Sequence, residues 1–226
     1  MNKSSKIYIS GHSGMLGQNL VQLLKKKGYK KLILKNSSEL DLCDSAKVKR
    51  FFKNEKPEYV FHLAAKVGGI KANIDYPAQF LYDNLMISAN VINAAYENNV
   101  KKLINLSSSC AYPRASEQPM KEAFLLNGPL EPTNEGYALS KIAALKLCEY
   151  YNKEYKTDFI SLMACNIYGH YDHFDAEKSH VIPAILLKFH LAQMRGDDSV
   201  KFWGSGMARR EFIYAADLAE ILLDIM

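Results

Sequence analysis

No stretch of the sequence is apolar over the roughly 20 residues that a membrane-spanning helix needs, and the first residues lack the apolar core of a secretory signal. Cysteine is scarce as well, and no two cysteines stand in the C-x-x-C spacing of zinc sites and redox motifs. We therefore expect no membrane segment, no metal site and no disulfides, in a protein of the reducing cytoplasm. The four cysteines are Cys43, Cys110, Cys148 and Cys165.

The chain carries a modest excess of positive charge, +5 at pH 7. Much of this charge lies in two short lysine runs, at 25–27 and 30–31. Such runs indicate the solvated end of a helix rather than a nucleic-acid surface, so we expect no nucleic-acid partner. With 226 residues, 48% of them hydrophobic, the chain is long and apolar enough to bury a sizeable core.

Short apolar runs alternate with amphipathic segments along most of the chain. This alternation predicts βαβ units, and hence an α/β fold with a Rossmann-type, doubly wound parallel sheet. The predicted strands cover residues 6–10, 31–35, 59–63, 101–106 and 159–164. The predicted helices cover residues 18–27, 45–54, 78–98 and 137–155.

The regular alternation stops after Asn166. We therefore predict an NAD(P)-binding Rossmann domain over 1–165 and part of a smaller C-terminal substrate-binding domain over 166–226. The second range holds a predicted helix at about 180–194 and another that begins near Ala215. Because the chain ends inside that helix, we expect the substrate portion to be incomplete, so that these residues bind a cofactor but turn over poorly. The long irregular loop at 114–135 is typical of a functional lid or binding segment.

A glycine-rich turn follows the first predicted strand. The sequence GHSGMLG at 11–17 spaces Gly11, Gly14 and Gly17 as G-x-x-G-x-x-G between a strand and a helix. Glycine at such a turn lets the backbone approach a pyrophosphate, which then lies at the positive end of the helix dipole. The pattern therefore predicts a dinucleotide site, with a glycine-rich turn that binds no ligand as the alternative.

Tyr137 and Lys141 stand four residues apart in a predicted helix, so that both side chains lie on one face. A lysine ammonium close to a phenol favours the phenolate and lowers the tyrosine pKa from about 10. A hydroxyl from the serines at 107–109, where a strand ends, would then hold a ketone oxygen while Tyr137 donates a proton to it. This set predicts hydride transfer to a ketone, and a polar turn at a strand end is the alternative for the serines.

Cys110 and His180 form a less obvious pair. A thiol beside the predicted catalytic strand can lose a proton and act as a base, and an imidazole can return one. A buried cysteine is otherwise an inert core residue, and a single histidine is commonly structural. The spacing of these two residues in the sequence does not tell whether they face each other.

Several motifs along nearly the whole chain resemble those of one known family. They are GHSGMLG at 11–17, AAKVGGI at 64–70, SSCAYP at 108–113, LEPTNE at 130–135, SHVIP at 179–183, WGSG at 203–206 and REF at 210–212. On these residues the chain resembles the extended short-chain dehydrogenase/reductases of the NAD-dependent epimerase/dehydratase family. Within that family it is most similar to the 3,5-epimerase-4-reductases that act on GDP-4-keto-6-deoxymannose.

The resemblance implies a role for individual residues. Ser108, Tyr137 and Lys141 would form the reductase triad. Cys110 would be the base and His180 the acid for inversion at C3 and C5 of the sugar, where the 4-keto group acidifies the protons. The positions expected to hold NADP are Gly11, Gly14, Met15, Leu16, Gly17, Ser37, Asp41, Leu42, Leu106, Ser107, Lys141, Ala164, Asn166, Ile167 and His180. Those expected to contact the GDP-sugar are Lys188, Trp203 and Arg210, with a core anchor as the alternative for Trp203.

The chain departs from the family pattern at the expected 2′-phosphate site. Ser13 and Ser37 stand where arginines usually recognise this group of NADP, and Lys35 would replace them only in part. No acidic residue ends the second predicted strand either, so that NAD is not positively indicated, though not excluded. Lys188 also stands where an arginine is usual, which exchanges a bidentate fork for a point charge.

The expected function is therefore conversion of GDP-4-keto-6-deoxy-D-mannose to GDP-L-fucose with NADPH, by a cytoplasmic homodimer. One alternative is a 4-reductase of a related GDP-4-keto-6-deoxy sugar, such as a heptose, in which Cys110 and His180 are vestigial. Another is a non-catalytic dinucleotide-binding protein or an inactive fragment. The Tyr137 and Lys141 pair argues against a protein without turnover.

Overall fold

The structure is a computed structural model that describes residues 1–175, 179–202 and 204–226. Within these residues, five parallel strands form a central sheet in the order β2-β1-β3-β4-β5. They are β1 (Ile7–Ser10), β2 (Leu32–Ile33), β3 (Tyr59–His62), β4 (Lys102–Ser108) and β5 (Phe159–Ala164). The predicted α/β fold with a Rossmann-type parallel sheet is confirmed.

Helices connect the strands and follow them. They are α1 (Met15–Lys26), α2 (Ser45–Glu55), α3 (Ile70–Asp75), α4 (Pro77–Glu97), α5 (Glu135–Tyr155), α6 (Val181–Arg195) and α7 (Ala215–Ile225). Local sequence sets several of their ends. The Asp44 carboxylate accepts a hydrogen bond from the Lys47 amide and caps α2. Pro77 occupies the first turn of α4, and Gly196 ends α6 in a left-handed conformation.

The two faces of the sheet are covered by different helices because side chains alternate along each strand. Tyr8 of β1 points to the face covered by α2, α4 and α5, where it packs with buried residues such as Val48 and Val91. Ile7 and Ile9 point to the opposite face. Buried residues of α1 and α7 cover that side, and both faces of the sheet are therefore closed.

Helix α7 packs directly on α1 and on the sheet, although it lies far away in the sequence. Its buried Leu218 and Leu222 share one core cluster with Ile7, Leu20 and Leu24. Residues 215–225 thus belong structurally to the dinucleotide-binding sheet, although they fall in the range 166–226 that the sequence assigns to substrate binding. The physical reason is that α7 presents one apolar face, which only the open side of the sheet and α1 accept. The boundary at 165 stays a prediction for the residues between.

A second, small sheet lies between β5 and α7. Its parallel strands are β6 (Asn166–Tyr168) and β7 (Phe212–Tyr214), which the sequence analysis left irregular because each has three residues. The long loop at 114–135 contains two short 3₁₀ turns, Glu122–Phe124 and Pro132–Asn134, and a third turn, Ser109–Ala111, follows β4. Among the described residues, no helix is both long and apolar enough to cross a membrane.

The strand order places a crevice at the carboxyl ends of β1 and β3. From β1 the chain crosses to β2 on one side, and from β2 it crosses back to β3 on the other side of β1. Open α/β sheets bind ligands where the order of the strands reverses in this way. The glycine-rich turn after β1 and the predicted catalytic serines after β4 both open onto this edge of the sheet.

Candidate active site

The turn after β1 is built for close contact between backbones. Gly11 has a φ of 74°, and a Cβ there would lie 2.7 Å from the Ala64 amide nitrogen, just past β3. A Cβ on Gly17 would lie 2.2 Å from the Gly11 carbonyl oxygen. Side chains at these two positions would therefore separate the turn from β3 and from α1.

The same turn presents unpaired helix amides. Gly14 caps α1 without a side-chain hydrogen bond, and the Gln18 amide donates to the Gly14 carbonyl over 2.9 Å. The amides of Met15, Leu16 and Gly17 precede that bond and have no acceptor within the helix. Backbone N–H groups at the positive end of a helix dipole suit a pyrophosphate, so these residues fit the dinucleotide that the sequence predicts.

Beneath the turn lies a buried polar chain. The Ser10 hydroxyl is 2.8 Å from His62 Nδ1 and accepts the Ala64 amide over 3.3 Å, and His62 Nε2 is 3.4 Å from the Ser88 hydroxyl. Burial lowers the pKa of His62 to about 3, with Lys141 as the second cause, so the imidazole stays neutral. This chain fixes the backbone of Ala64 against Gly11. The sequence analysis did not single out His62, because it stands at the end of a short apolar strand and belongs to no recognised motif.

The loop after β2 holds the predicted adenosine side of the crevice. Asn36 Oδ1 accepts hydrogen bonds from the amides of Ser38 and Glu39, and Glu39 Oε2 accepts one from the Asn36 amide over 3.0 Å. These reciprocal bonds hold the turn around Ser37 in one conformation. Glu39 Oε1 also lies 3.3 Å from Lys35 Nζ. Ser37 therefore stands exposed at the tip of a fixed turn, next to an ion pair.

Asp41 and Leu42 follow this turn and lead to α2. The Asp41 carboxylate accepts the Cys43 amide over 2.9 Å, and the Leu42 carbonyl accepts the Asn90 side chain of α4 over 2.8 Å. Both residues are thus held beside the crevice by local hydrogen bonds. Their contact with adenine stays a prediction.

Lys141 is buried at the end of β4. Its ammonium donates to the Leu106 carbonyl over 2.8 Å, and it lies 5.6 Å from the centre of the Tyr137 ring one helical turn away. The Ser107 hydroxyl is buried nearby and has no hydrogen-bond partner within the described residues. The helical spacing therefore brings the predicted phenol and ammonium together, directly above the strand that carries the serines.

Burial shifts the pKa values of Tyr137 and Lys141 in opposite directions, and the shift of Tyr137 is opposite to the one expected from the sequence. Desolvation raises the pKa of the Tyr137 phenol, and the nearby Cys110 thiol acts in the same direction. Desolvation also lowers the pKa of Lys141 to about 8. The expected lowering of the tyrosine pKa was wrong for this structure, because removal from water outweighs the ammonium beside the ring. At neutral pH the phenol is protonated, which is the form that donates a proton.

Cys110 lies in the short turn after β4. Its amide donates to the Ser108 hydroxyl over 3.4 Å, and electrostatic contacts link its thiol to both Tyr137 and Lys141. Burial raises the pKa of the Cys110 thiol, while the Ser108 hydroxyl and the Lys141 charge partly oppose this shift. Tyr137, Lys141 and Cys110 thus lie together at the end of the strand that carries Ser108, and the roles of these four residues stay predictions.

The predicted nicotinamide side is formed by the end of β5 and by β6. Ala164 is buried and pairs with Ser108 of β4. Asn166 donates from its side chain to the Glu211 carbonyl over 2.9 Å, and Ile167 pairs with Ile213 of β7. The central sheet therefore fixes Ala164 next to Ser108, and the small sheet fixes Asn166 and Ile167 directly after it.

The predicted sugar-side residues are less closely assembled. His180 stands exposed at the N-terminus of α6, and none of the hydrogen bonds, ion pairs or ring contacts among the described residues joins it to Cys110. Lys188 donates to the Lys201 carbonyl over 3.4 Å and lies 5.2 Å from the centre of the Phe202 ring. Arg210 is exposed and donates to the Arg209 carbonyl over 2.7 Å. Trp203 lies outside the described residues.

The sequence matches the model of one known protein family over nearly its whole length. Residues 7–226 match the description "NAD dependent epimerase/dehydratase family". The chain belongs to that family. The predicted enzyme class, an NADP-dependent epimerase or reductase, is confirmed.

Individual relatives narrow the comparison. The GDP-L-fucose synthase of Escherichia coli is 48% identical over 98% of this chain and 69% of its own length. The GDP-L-colitose synthase of Yersinia pseudotuberculosis is 45% identical over 96% of this chain and 70% of its own length. Among solved structures, a GDP-mannoheptose C4 reductase from Campylobacter jejuni with NADP bound has a TM-score of 0.92 and 41% identity, covering 99% of this chain and 75% of that one.

Proposed function

We propose that this family member converts GDP-4-keto-6-deoxy-D-mannose to GDP-L-fucose with NADPH, by inversion at C3 and C5 followed by reduction at C4. The observation that carries the proposal is that Tyr137 and the buried Lys141 lie together at the end of β4, with Ser108 on that strand and the Cys110 thiol in electrostatic contact with both. A reductase alone needs the serine, the phenol and the ammonium. The Cys110 thiol adds a group that can move a proton on carbon.

For the reduction, Tyr137 supplies the proton and Lys141 supplies positive charge. NADPH, when bound, provides the hydride for C4, and the developing alkoxide takes the phenol proton. The Ser108 hydroxyl orients the ketone oxygen, and the ammonium, held by the Leu106 carbonyl, stabilises the negative charge that passes to Tyr137. The phenol is protonated at neutral pH because burial raises its pKa, and the lysine keeps its charge because its lowered pKa, about 8, still lies above 7.

For the inversion, Cys110 removes the proton at C3 and C5 in turn, and a proton is returned to the opposite face. The electron pair left on carbon moves into the neighbouring 4-keto group as an enolate, so that a modest base suffices. The Lys141 charge favours the Cys110 thiolate and opposes the effect of burial. We assign the return of the proton to His180, which requires the α6 N-terminus to close over the crevice.

A second candidate is C4 reduction of a related GDP-4-keto-6-deoxy sugar, such as a heptose, without inversion. Two observations favour it. Burial raises the pKa of the Cys110 thiol, and His180 is exposed and has no contact with Cys110 among the described residues. The similarity to a GDP-mannoheptose C4 reductase points in the same direction.

Hydrogen exchange separates the two candidates. We would incubate the protein with GDP-4-keto-6-deoxy-D-mannose in heavy water without reduced cofactor and locate deuterium by NMR. Deuterium at C3 and C5, strongly slowed in Cys110→Ser, supports the epimerase-reductase. Reduction with NADPH but no exchange in the parent protein supports the 4-reductase. Binding of NADPH without reduction of either sugar would reject both.

We also propose a homodimer in the cytoplasm. Helices α4 and α5 pack together and expose large apolar side chains, among them Tyr82, Leu139 and Tyr150. All four cysteines of the described chain carry free thiols, which suits a reducing compartment. Light scattering coupled to size exclusion tests the dimer, and charged substitutions at Tyr82 and Leu139 should shift it toward monomer.

A further inference from the structure

The turn after β2 carries a carboxylate whose position bears on cofactor choice. In a Rossmann fold the adenosine ribose lies at the end of this strand, where an acidic residue favours a free 2′-hydroxyl and a basic one favours a 2′-phosphate. Here β2 neighbours β1, so that residues 35–39 and the glycine turn open onto the same edge of the sheet. Ser13 and Ser37 offer hydroxyls and no charge.

Lys35 carries the positive charge of this turn, and its ammonium is already paired with the Glu39 carboxylate. Its ammonium lies 3.3 Å from Glu39 Oε1, while Glu39 Oε2 accepts the Asn36 amide over 3.0 Å. Asn36 in turn accepts the Glu39 amide over 3.1 Å, which fixes the carboxylate in place. The hydrogen bond from Asn36 and the contact with Lys35 lower the pKa of Glu39, with His12 as a smaller cause, so the carboxylate is charged at neutral pH.

We propose that Glu39 is a specificity-determining residue. By pairing with the Lys35 ammonium it keeps that group from binding a 2′-phosphate, and so reduces the preference for NADPH over NADH. The proposal rests on the dinucleotide site assigned above. A phosphate entering beside Ser37 must compete with the carboxylate for one ammonium. The chain therefore accepts both cofactors with a small margin between them.

The test measures binding rather than turnover. We would titrate 2′-phospho-ADP-ribose and ADP-ribose by calorimetry at low salt and take the ratio of their dissociation constants as the selectivity. Glu39→Gln keeps the length of the side chain and an oxygen for the Asn36 amide. Because the ion pair is exposed, we expect its selectivity for the phosphorylated ligand to rise about three- to fivefold.

Two further variants make the result specific. Glu97→Gln removes the same charge from the exposed Lys49–Glu97 pair, which joins α2 to α4, and should leave the selectivity within twofold of the parent. Lys35→Gln combined with Glu39→Gln should abolish the gain, because the freed ammonium is then absent. Equal selectivity in Glu39→Gln and the parent, or a gain that persists without Lys35, would overturn the proposal while leaving the dinucleotide site intact. If the parent protein binds neither ligand, the dinucleotide site itself is wrong and this proposal fails with it.

Discussion

At the scale of single residues, burial acts on Tyr137 and Lys141 in opposite directions. It holds the proton on the phenol and weakens the hold of the lysine on its own proton. Reduction needs both groups protonated, the phenol as donor and the ammonium as a positive charge. The window in which this pair works therefore ends at its alkaline side, where Lys141 loses its proton.

Replacing Tyr137 by Phe tests the phenol as proton donor. The substitution removes one oxygen and keeps the ring on the same face of α5 as Lys141. Because general acid catalysis contributes about 10²–10⁴-fold, we expect ketone reduction to fall by that factor while NADPH binding changes little. The control is Tyr150→Phe, which removes a hydroxyl from an exposed tyrosine of the same helix. Turnover in Tyr137→Phe within twofold of the parent would rule out this role.

The pH dependence of reduction tests the charge of Lys141. A lysine is charged below its pKa, and burial lowers that of Lys141 to about 8. We therefore expect kcat for reduction to be constant near pH 7 and to fall about tenfold per unit above pH 8. Stopped-flow measurements with saturating NADPH and keto-sugar give this profile. A rate that stays constant up to pH 9.5 would contradict the assignment.

At the scale of elements, the start of α1 is shaped by two glycines that tolerate different changes. Gly17 faces backbone at 2.2 Å from its missing Cβ, whereas the nearest atom to a Cβ on Gly14 is 3.5 Å away. Gly14 also has an ordinary φ of −75°. The G-x-x-G-x-x-G pattern treats these positions alike, but the structure does not.

We expect Gly17→Ala to be far more damaging than Gly14→Ala. A methyl group at 17 must push the Gly11 carbonyl and the His12 backbone away, which overpacks the turn by about 1–3 kcal/mol and opens the pyrophosphate cradle. At Gly14 the same methyl group meets only ordinary contacts and costs less than about 1 kcal/mol as a helix cap. Urea unfolding of both variants gives the free energies, and equal losses would contradict the geometry.

Much of this element-scale order could be predicted from the sequence. The strand Phe159–Ala164 was predicted with its observed bounds, because a short apolar run between polar segments has few other interpretations. Helix Ile70–Asp75 was missed because six residues are too few to show a period. The face shared by Tyr137 and Lys141 follows from helical spacing alone. The polar chain under the turn and the ion pair at Glu39 depend on contacts between elements, which periodicity does not report.

At the scale of the whole molecule, α7 joins the last described residues to the first. Leu222 is fully buried in the cluster formed by α1 and the sheet, while its neighbour Ile221 is 40% exposed. The sequence analysis assigned α7 to the substrate portion and could not say which partner its apolar face packs against. The structure places that partner at the beginning of the chain.

Truncating Leu222 should therefore destabilise the dinucleotide-binding sheet itself. Leu222→Ala leaves a cavity between α7 and α1, which typically costs 2–5 kcal/mol. We expect faster amide exchange in β1 and α1 and a lower free energy of unfolding. Ile221→Ala, which removes a similar volume from the surface, should cost under about 1 kcal/mol. Unchanged exchange in β1 of Leu222→Ala would show that α7 folds independently of the sheet.

The position of α7 has a consequence for synthesis on the ribosome. Ile7, Leu20 and Leu24 emerge early, but Leu218 and Leu222, which cover them, follow almost 200 residues later. At about 5–20 residues per second this interval lasts roughly 10–40 s. For that time the apolar face that α7 later covers stays exposed to water. The other face is covered sooner by α2, α4 and α5. A nascent chain of this kind is expected to bind chaperones that shield apolar surface until α7 has emerged.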